Sequence, residues 1–409
     1  MTPTTAPKRV LYVVSLFPCW SETFIVREIE VLLSRGVDVR ILSLKPPQES
    51  LVHERAARLL ERTLHPRPPV ATALASLWLA VRHPVTVLGF GARLVAGLWR
   101  QPSKLAKSVA ALTRAAGQFE WIRRFDPDVV HAPWATYPAT VAWFLSRLLR
   151  RPFTFTSRAH DIFIEDQMMA DKLRHAALAV TITRHNVSHL SRWMRSPGEI
   201  TVQVVHSALD LADIPYVEGG RLPHRLLSVG RLDPIKGFDV LLNALAVLRD
   251  RGVAFESVII GEGAERARLL ALRDALGLAD RVVFIGAKPQ AEVHAAMAQA
   301  TLMVMPCVVT DDGNADGIPN VLTEAMASGL AVVSTRVSGI PELVDDGVNG
   351  LLVPPRDPLA LAEAVAGMLA DPERRNAFAR EGRHKVERDF NVHIEAGRLL
   401  GHFSEVVHG

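Results

Sequence analysis

Two carboxylates, Asp316 and Glu324, are separated by seven residues in the second half of the chain. Asp316 precedes a predicted tight turn over 317–319, and residues 320–328 predict a helix that ends at Gly329. A carboxylate before a helix N-terminus and another on its first turns can contact two parts of one ligand, and the turn amides suit an anion. Taken alone, this spacing would more often join a loop aspartate to a surface glutamate, so the surrounding residues decide its meaning.

Two cations, Arg231 and Lys236, follow a strand predicted over 225–230 and flank the predicted start of a helix. Gly230 and Gly237 beside them allow the backbone to approach a ligand closely. Such a pair of cations can hold a diphosphate and stabilise the negative charge that grows as the diphosphate leaves. The alternative is an exposed arginine and lysine beside a helix.

These two patterns resemble parts of a known enzyme family. The E-x7-E donor-site signature of glycosyltransferase family 4, in the GT-B superfamily, resembles DGIPNVLTEAMASGLAVVSTRVSGIPELV (316–344). The phosphate loop of that family resembles SVGRLDPIKGFDVLLNAL (228–245), and its C-terminal helix resembles VPPRDPLALAEAVAGML (353–369). Near the N-terminus, the chain resembles the branch of the family that builds bacterial exopolysaccharides such as colanic acid, over FPCWSETFIVREIEVL (17–32). The acceptor-side histidine motif of that branch matches SRAHDIF (157–163).

The resemblance implies a role for each of the singled-out side chains. Arg231 and Lys236 would hold the diphosphate of a nucleotide-sugar donor. Glu324 would accept the ribose hydroxyls, and Asp316 would bind a hydroxyl of the donor sugar. His160, which follows a predicted strand, would make a hydrogen bond to the donor sugar. The turns beside these side chains supply further donor-binding positions, which are Gly230, Gly237, Gly263, Gly317, Ile318, Pro319 and Asn320. At the position of Asp316 the family usually has glutamate. The aspartate side chain is one methylene shorter.

Short apolar runs such as RVLYVVSL (9–16) and TLMVMP (301–306) alternate with amphipathic stretches through both halves of the chain. Strands that alternate with helices predict an α/β fold with doubly wound parallel sheets, and two such sets predict two Rossmann-like domains. The resemblance implies the GT-B arrangement, in which the two domains face each other across a cleft. We expect an acceptor-binding domain over 1–208, a nucleotide-sugar domain over 209–390, and a last helix in 391–409 that packs back on the first domain.

Composition excludes several protein classes. Of the 409 residues, 49% are apolar and 22% charged, which excludes general disorder. The only cysteines, Cys19 and Cys307, exclude a disulfide scaffold and fit a reducing cytosol. The sequence predicts neither a signal peptide at its start nor a transmembrane helix. Residues 1–200 carry 27 Lys and Arg against 15 Asp and Glu, whereas the remainder carries 20 against 28, so two domains with different partners are expected.

One segment, residues 62–119, contains eight Lys and Arg and no Asp or Glu. Its large apolar residues include Leu77, Trp78, Phe90, Leu94 and Trp99. The segment is either an inserted helical pair with a solvated basic face or an amphipathic element that lies on anionic lipid. The second interpretation predicts an anionic membrane surface and a polyprenyl-linked saccharide acceptor as partners, with no nucleic acid, and places the protein on the inner face of the plasma membrane.

Three weaker patterns in the sequence do not indicate a functional site. GEGAER (261–266) lacks the third glycine of a dinucleotide fingerprint, so NAD is not expected, and in the resembled family this turn lies near the nucleotide. The D-x-D of 126–128 directly precedes a buried strand. His185 and His189 lie one helical turn apart but have no evident third ligand. We therefore expect no metal site and no cofactor other than the donor substrate.

The expected activity is metal-independent transfer of a hexose with retention of the anomeric configuration. No carboxylate is clearly placed as a nucleophile, which favours departure of the diphosphate from the face that the acceptor hydroxyl attacks. Arg231 and Lys236 would supply the charge stabilisation that a metal supplies elsewhere. Two alternatives stay open, namely a nucleotide-sugar epimerase of the same architecture and a catalytically silent nucleotide- or carbohydrate-binding protein.

Overall fold

The computed structural model describes residues 6–19, 22–47, 54–165, 167–194 and 200–408. The chain divides into two compact units, and each is described by itself. The first unit comprises Met1–His206 together with Val392–Gly409, and the second comprises Ser207–Asn391. The boundaries predicted from the sequence lie at 208 and 390.

The first unit is built on a seven-stranded sheet in which every neighbouring pair is parallel. The strands are β1 (Arg9–Val14), β2 (Asp38–Ser43), β3 (Thr63–Leu64), β4 (Val129–Ala132), β5 (Phe153–Ser157), β6 (Leu178–Thr181) and β7 (Val202–Val204). Their order is β3-β2-β1-β4-β5-β6-β7, so the chain winds to one edge and then returns to the other. The central strands are buried on both faces, which is why they read as continuous apolar runs in the sequence.

Helices cover both faces of this sheet. They are α1 (Thr23–Ser34), α2 (Glu54–Arg58), α3 (Pro69–Arg82), α4 (Pro84–Leu98), α5 (Pro102–Phe125), α6 (Tyr137–Leu149), α7 (Ala159–Phe163), α8 (Met169–His175) and α9 (Arg184–Leu190). The C-terminal helix (Val392–His408) also belongs to this unit and packs against α1, with Leu399 and Phe403 fully buried in the same apolar cluster as Ile25 and Ile29.

The basic segment contains the three helices α3, α4 and α5, whereas one interpretation of the sequence predicts a helical pair. A proline begins each of α3, α4 and α5, because the first turn of a helix tolerates the missing N–H. Phe90 and Leu94 are buried, whereas Leu77, Trp78 and Trp99 are exposed. Among the described helices, none is long and apolar enough to span a membrane alone; α3 and α4 reach that length and apolarity together but are bent by 109°.

The second unit contains a six-stranded sheet whose neighbouring strands are again all parallel. The strands are β8 (Arg225–Val229), β9 (Glu256–Ile260), β10 (Val282–Phe284), β11 (Leu302–Met305), β12 (Val332–Thr335) and β13 (Leu351–Val353). The helices are α10 (Phe238–Asp250), α11 (Arg266–Ala275), α12 (Gln290–Gln299), α13 (Asn320–Ala327), α14 (Ile340–Leu343), α15 (Pro358–Ala370) and α16 (Pro372–Asp389). Leu302 and Val304 of β11 enter one apolar cluster and Met303 and Met305 enter another, so helices pack on both faces.

The strand order of the second unit, β10-β9-β8-β11-β12-β13, makes β8 and β11 neighbours. The chain proceeds from β8 toward one edge and from β11 toward the other, so the loops after these two strands diverge. Ligands of doubly wound sheets bind at such a switch point, outside the carboxyl ends of the strands. The predicted class, α/β with two doubly wound parallel-sheet units, is confirmed.

Candidate active site

The loop after β8 forms one turn of 3-10 helix over Pro234–Lys236 and enters α10 through Gly237. Gly237 has a φ of +65°, and a Cβ at this position would lie 2.0 Å from the carbonyl oxygen of Pro306, in the loop after β11. Val308 N donates a hydrogen bond to Ile235 O over 2.9 Å, which joins the same two loops. Gly237 therefore allows the loops at the switch point to touch, since a larger residue would clash with backbone.

The loop after β9 packs on the loop after β8. A Cβ on Gly263 would lie 2.3 Å from Leu232 O, and Leu232 N donates to Glu262 O over 2.8 Å. A Cβ on Gly230 would lie 3.3 Å from Cε of Lys236. The alkyl chain of Lys236 therefore runs along the backbone at Gly230, and this packing directs its ammonium group toward the loop after β11.

Lys236 and Asp316 form an ion pair at the switch point. Lys236 Nζ lies 2.6 Å from Asp316 Oδ2, and the side chains are only 13% and 21% exposed. Burial lowers the pKa of Lys236, but the Asp316 carboxylate outweighs burial and raises this pKa above its ordinary value. Cys307 Sγ lies 3.9 Å from Asp316 Oδ2, and burial together with that carboxylate raises the pKa of Cys307 to about 12. At neutral pH the ammonium group of Lys236 is thus charged and the thiol of Cys307 is neutral.

Arg231 occupies the same loop as Lys236 but a different environment. Its side chain is 70% exposed, and its Nη2 lies 3.1 Å from Asp233 Oδ2. An exposed ion pair of this kind is weak, so the guanidinium can turn to a stronger anionic partner at small cost. One loop therefore presents a half-buried ammonium group and an exposed guanidinium group, two donors that can bind a diphosphate.

The turn that carries Asp316 leads directly into α13. Gly317 O accepts a hydrogen bond from Gly339 N over 3.2 Å, which fixes the turn to the loop after β12. Ile318 packs partly against the apolar cluster beneath it, Pro319 is the N-cap of the helix, and Asn320 is exposed at its first position. The backbone amides of this turn and the N-terminus of α13 therefore lie beside the Lys236–Asp316 pair.

Glu324 lies on α13, with a side chain that is 12% exposed. Its Oε2 lies 3.9 Å from Nε2 of His294, which belongs to α12. Glu324 therefore lies close to the imidazole of His294, and a proton on that imidazole would strengthen the contact. Such a carboxylate can accept two neighbouring hydroxyl groups.

His160 belongs to the first unit, where it is exposed on α7 directly after β5. The next residue, Asp161, is fully buried, and its Oδ2 accepts hydrogen bonds from the backbone N–H groups of Ala135 (2.7 Å) and Arg158 (3.2 Å). The guanidinium of Arg158 stacks 3.7 Å from the ring centroid of Phe24. Burial raises the pKa of Asp161 to about 7. These contacts fix the turn that presents His160 to solvent.

The structure brings together Lys236 and Asp316, places Arg231 in the same loop, and places Glu324 on the helix that follows. His160 lies in the other unit. Among the described residues, no group of three or more His, Cys, Asp or Glu side chains is arranged to hold a metal ion.

Sequence reasoning missed three residues: Cys307 and His294 in the second unit, and Asp161 beside His160 in the first unit. Cys307 carries a weak signal, since it closely follows β11, but it was considered only for its redox state. His294 carries no signal, because a lone histidine on a helix is usually structural. Asp161 stands next to a predicted site residue, and its capping of α7 could have been considered from that position.

Comparison with known families matches residues 223–385 to the family "Glycosyl transferases group 1". The chain is 40% identical over 179 residues to the putative colanic acid biosynthesis glycosyltransferase WcaL of Escherichia coli K12. It is also 40% identical over 178 residues to the amylovoran biosynthesis glycosyltransferase AmsK of Erwinia amylovora. Each alignment covers 44% of the relative, and 44% and 43% of this chain, so less than half of either relative is matched.

Two solved structures share the fold over nearly the whole chain. Sucrose-phosphate synthase of Thermosynechococcus elongatus superposes with a TM-score of 0.71 at 19% identity, over 96% of this chain and 98% of that one. Anabaena Alr3699/HepE in complex with UDP superposes with a TM-score of 0.69 at 18% identity, over 97% and 100%. The chain therefore has the GT-B fold, its residues 223–385 form a glycosyltransferase group 1 domain, and it is similar to bacterial glycosyltransferases of the colanic acid and amylovoran type.

Proposed function

We propose that this chain is a glycosyltransferase that moves a sugar from a nucleotide-diphosphate sugar to a saccharide acceptor in bacterial exopolysaccharide or cell-surface glycan synthesis. The observation that carries the proposal is the half-buried Lys236–Asp316 pair at the switch point of the glycosyltransferase domain, with Arg231 in the same loop as Lys236 and Glu324 on the helix that follows Asp316. The names of the two exopolysaccharide relatives support the process, and the UDP bound to the Anabaena protein supports a nucleotide donor.

Donor binding would exchange partners within the site. An incoming diphosphate takes the ammonium of Lys236 and the guanidinium of Arg231, which frees Asp316 to accept a hydrogen bond from a sugar hydroxyl. The amides of the turn 317–320 add neutral donors, and Glu324 accepts the ribose hydroxyls. Before the donor arrives, Lys236 and Asp316 neutralise each other, so neither charge is buried alone.

The proposed chemistry is transfer with retention and without a metal ion. The bond from the anomeric carbon to the diphosphate oxygen breaks while Arg231 and Lys236 stabilise the developing charge. The acceptor hydroxyl forms the new bond on the same face of the sugar, and its proton passes to the departing diphosphate. His160 is proposed to make a hydrogen bond to the donor sugar.

A thermal-shift screen of UDP-, GDP- and ADP-sugars tests the donor proposal, because a ligand that binds the native state raises the melting temperature. One nucleotide class should stabilise the protein, and that donor alone should give slow hydrolysis. A new nucleotide-sugar in the same mixture would identify an epimerase instead. Stabilisation without hydrolysis or transfer to any saccharide would identify a silent binding protein.

We also propose that the helices α3 to α5 attach the protein to the inner, anionic face of the plasma membrane. Exposed apolar side chains are concentrated there, namely Val70, Leu74, Leu77, Trp78, Val81, Val85, Leu88, Val95, Trp99 and Val109. Residues 62–119 carry eight Lys and Arg and no Asp or Glu, and each basic side chain near an anionic surface contributes about 1 kcal/mol. Co-sedimentation with phosphatidylglycerol vesicles should be lost at roughly molar salt. It should also weaken when Arg93, Arg100, Lys104 and Lys107 become Gln, with phosphatidylcholine vesicles as the control.

A further inference from the structure

Arg221, in the segment that precedes β8, joins the C-terminal ends of two helices of the second unit. Its Nη1 donates to three backbone oxygens at the end of α12, those of Met297 (2.6 Å), Ala298 (3.4 Å) and Ala300 (3.1 Å). Its Nη2 donates to two backbone oxygens at the end of α13, those of Ser328 (3.1 Å) and Gly329 (2.6 Å), and to Val217 O (3.1 Å). Each terminal nitrogen of one guanidinium group therefore serves a different helix.

The ends of these helices require such a donor. The last carbonyl groups of a helix have no partner within it, and they carry the negative end of the helix dipole. The backbone around Arg221 supplies partners as well, since the N–H groups of Val217 and Leu222 donate to the ends of α13 and α12 over 3.1 and 2.8 Å. The guanidinium group holds its two terminal nitrogens in a fixed geometry. Directional bonds from the single segment 217–222 thus hold the two helix ends at one separation.

The two joined helices carry the His294–Glu324 contact of the candidate site. Between their ends, α12 and α13 contribute apolar side chains such as Met297 and Met326 to one cluster. Apolar burial is non-directional, so it favours contact between the helices but does not fix how far one is displaced along its axis relative to the other. The directional hydrogen bonds of Arg221 supply that restraint.

The restraint acts close to both side chains of this contact. Ser328 N donates to Glu324 O over 3.0 Å, and Ser328 O accepts from Arg221, so one turn of backbone separates the guanidinium from Glu324. On α12, Met297 follows His294 by three residues, which is less than one turn. A hydrogen bond between a hydroxyl and an oxygen spans about 2.5–3.0 Å, and a separation of roughly 3.6 Å is no hydrogen bond. A helix displacement of about 1 Å would therefore part the Glu324 carboxylate from a ribose hydroxyl.

We propose that Arg221 is a positioning residue, which holds Glu324 where it can accept the ribose hydroxyls of the donor. The inference rests on the proposed function, in which Glu324 is the ribose ligand. A residue that only stabilises the fold would change the melting temperature and leave the preference for ribose as it is. A positioning residue changes that preference itself.

Arg221→Lys is the test variant, because it keeps the positive charge and the aliphatic stem but has one nitrogen where the guanidinium has two that serve different helices. Arg249→Lys is the matched control. Arg249 Nη1 also donates to backbone oxygens at a helix end, those of Leu276 and Gly277 after α11, a helix that carries none of the candidate site residues. Glu324→Gln changes the ribose ligand itself.

Calorimetric titration with UDP, GDP and ADP, followed by the 2′,3′-dideoxy form of the nucleotide that binds, measures ribose recognition as the ratio of two affinities. Wild type and Arg249→Lys should bind the dideoxy form at least about tenfold more weakly, because it lacks the hydrogen bonds to a charged carboxylate. Arg221→Lys and Glu324→Gln should bind it at most about threefold more weakly, because those bonds are already lost or reduced.

Circular dichroism and urea denaturation show which variants are folded. If Arg221→Lys is unfolded in buffer, all four proteins are titrated in trimethylamine N-oxide, which favours the folded state. The ratio compares two ligands of one protein under one condition, so a change in stability alone does not alter it.

A wild-type ratio in Arg221→Lys would show that Arg221 only stabilises the fold, and the proposal would be wrong. Glu324→Gln would still lack the ratio in that case, so the proposed donor site would stand. A wild-type ratio in Glu324→Gln would instead contradict the ribose role of Glu324 and overturn the inference with it. Failure of wild type to bind any of the three nucleotides would contradict the proposed function directly.

Discussion

Replacing Lys236 by methionine should impair stability and turnover for two separable reasons. Methionine keeps the apolar stem that packs on Gly230 but removes the cation 2.6 Å from Asp316. Breaking a fully buried ion pair costs about 3–5 kcal/mol and an exposed one about 0–1 kcal/mol. With side chains 13% and 21% exposed, the ligand-free protein should lose about 1–3 kcal/mol. The melting temperature of the second unit should fall by about 2–10 °C.

The double variant Lys236→Met/Asp316→Asn separates the two effects. Removing both charges leaves no carboxylate without its partner, so the free energy of unfolding should return to within about 1 kcal/mol of wild type. Turnover should stay low, because the cation that stabilises the leaving diphosphate is still absent. Loss of one such donor typically lowers kcat by about 10²–10³.

Urea denaturation without ligand and steady-state kinetics with donor and acceptor measure the two quantities. Arg251→Met is the control, because Arg251 makes an exposed pair with Glu363 at 3.5 Å and should change stability by about 0.5 kcal/mol or less. If the double variant recovers turnover along with stability, Lys236 acts only as a structural ion. If Lys236→Met raises KM and leaves kcat unchanged, the ammonium binds the ground state and the transition-state argument fails.

Three further predictions concern the same protein. Glu324→Gln should weaken donor binding about tenfold to a hundredfold, since hydrogen bonds to a charged group contribute about 1.5–3 kcal/mol. Titration of the variant with the donor checks this, with Glu363→Gln, which changes an exposed glutamate, as the control. Turnover should be unchanged in the presence of EDTA. A loss of turnover in EDTA that added magnesium reverses would reveal a metal site. Burial lowers the pKa of His131 to about 3, so between pH 6.5 and 3 only the unfolded chain takes up the proton and stability falls with falling pH. As the pH falls from 6 to 4, the free energy of unfolding of His131→Gln should therefore rise relative to that of wild type by about 1.4 kcal/mol per pH unit. Urea denaturation at each pH measures this difference.

The sheets could be predicted from sequence because their central strands are buried on both faces. RVLYVVSL (9–16) contains β1 and TLMVMP (301–306) contains β11. Such strands read as apolar runs between amphipathic helices, and the alternation fixes the class. The number of helices in the basic segment could not be predicted in the same way. Its helices expose apolar side chains as well as burying them, so periodicity does not show where one helix ends and the next begins.

The loops of the candidate site were predicted better than the contacts within them. Glycine and proline positions mark the turns at 230–237 and 316–320, because those turns depend on backbone geometry. The contact between Lys236 and Asp316 depends on how two flexible side chains settle against a desolvated surface. The Cys307 thiol contacts Asp316 from the loop after β11, and the His294 imidazole on α12 lies close to Glu324. Spacing along the chain does not encode the Lys236–Asp316 and His294–Glu324 contacts, because each joins elements remote in sequence, whereas Cys307 and Asp316 belong to one loop.

Topology supplies what spacing does not. In a parallel sheet every strand has its carboxyl end on the same side, so the loops that follow two neighbouring strands lie next to each other. The observed order makes β8 and β11 neighbours, and Gly237 then allows the two loops to touch at Pro306. The Lys236–Asp316 pair is thus a consequence of the strand order that places the loop after β11 beside the loop after β8. The cations of the loop 230–237 and the acidic turn at 316–320 therefore predict an anion site only when the strand order is known to bring the two loops together.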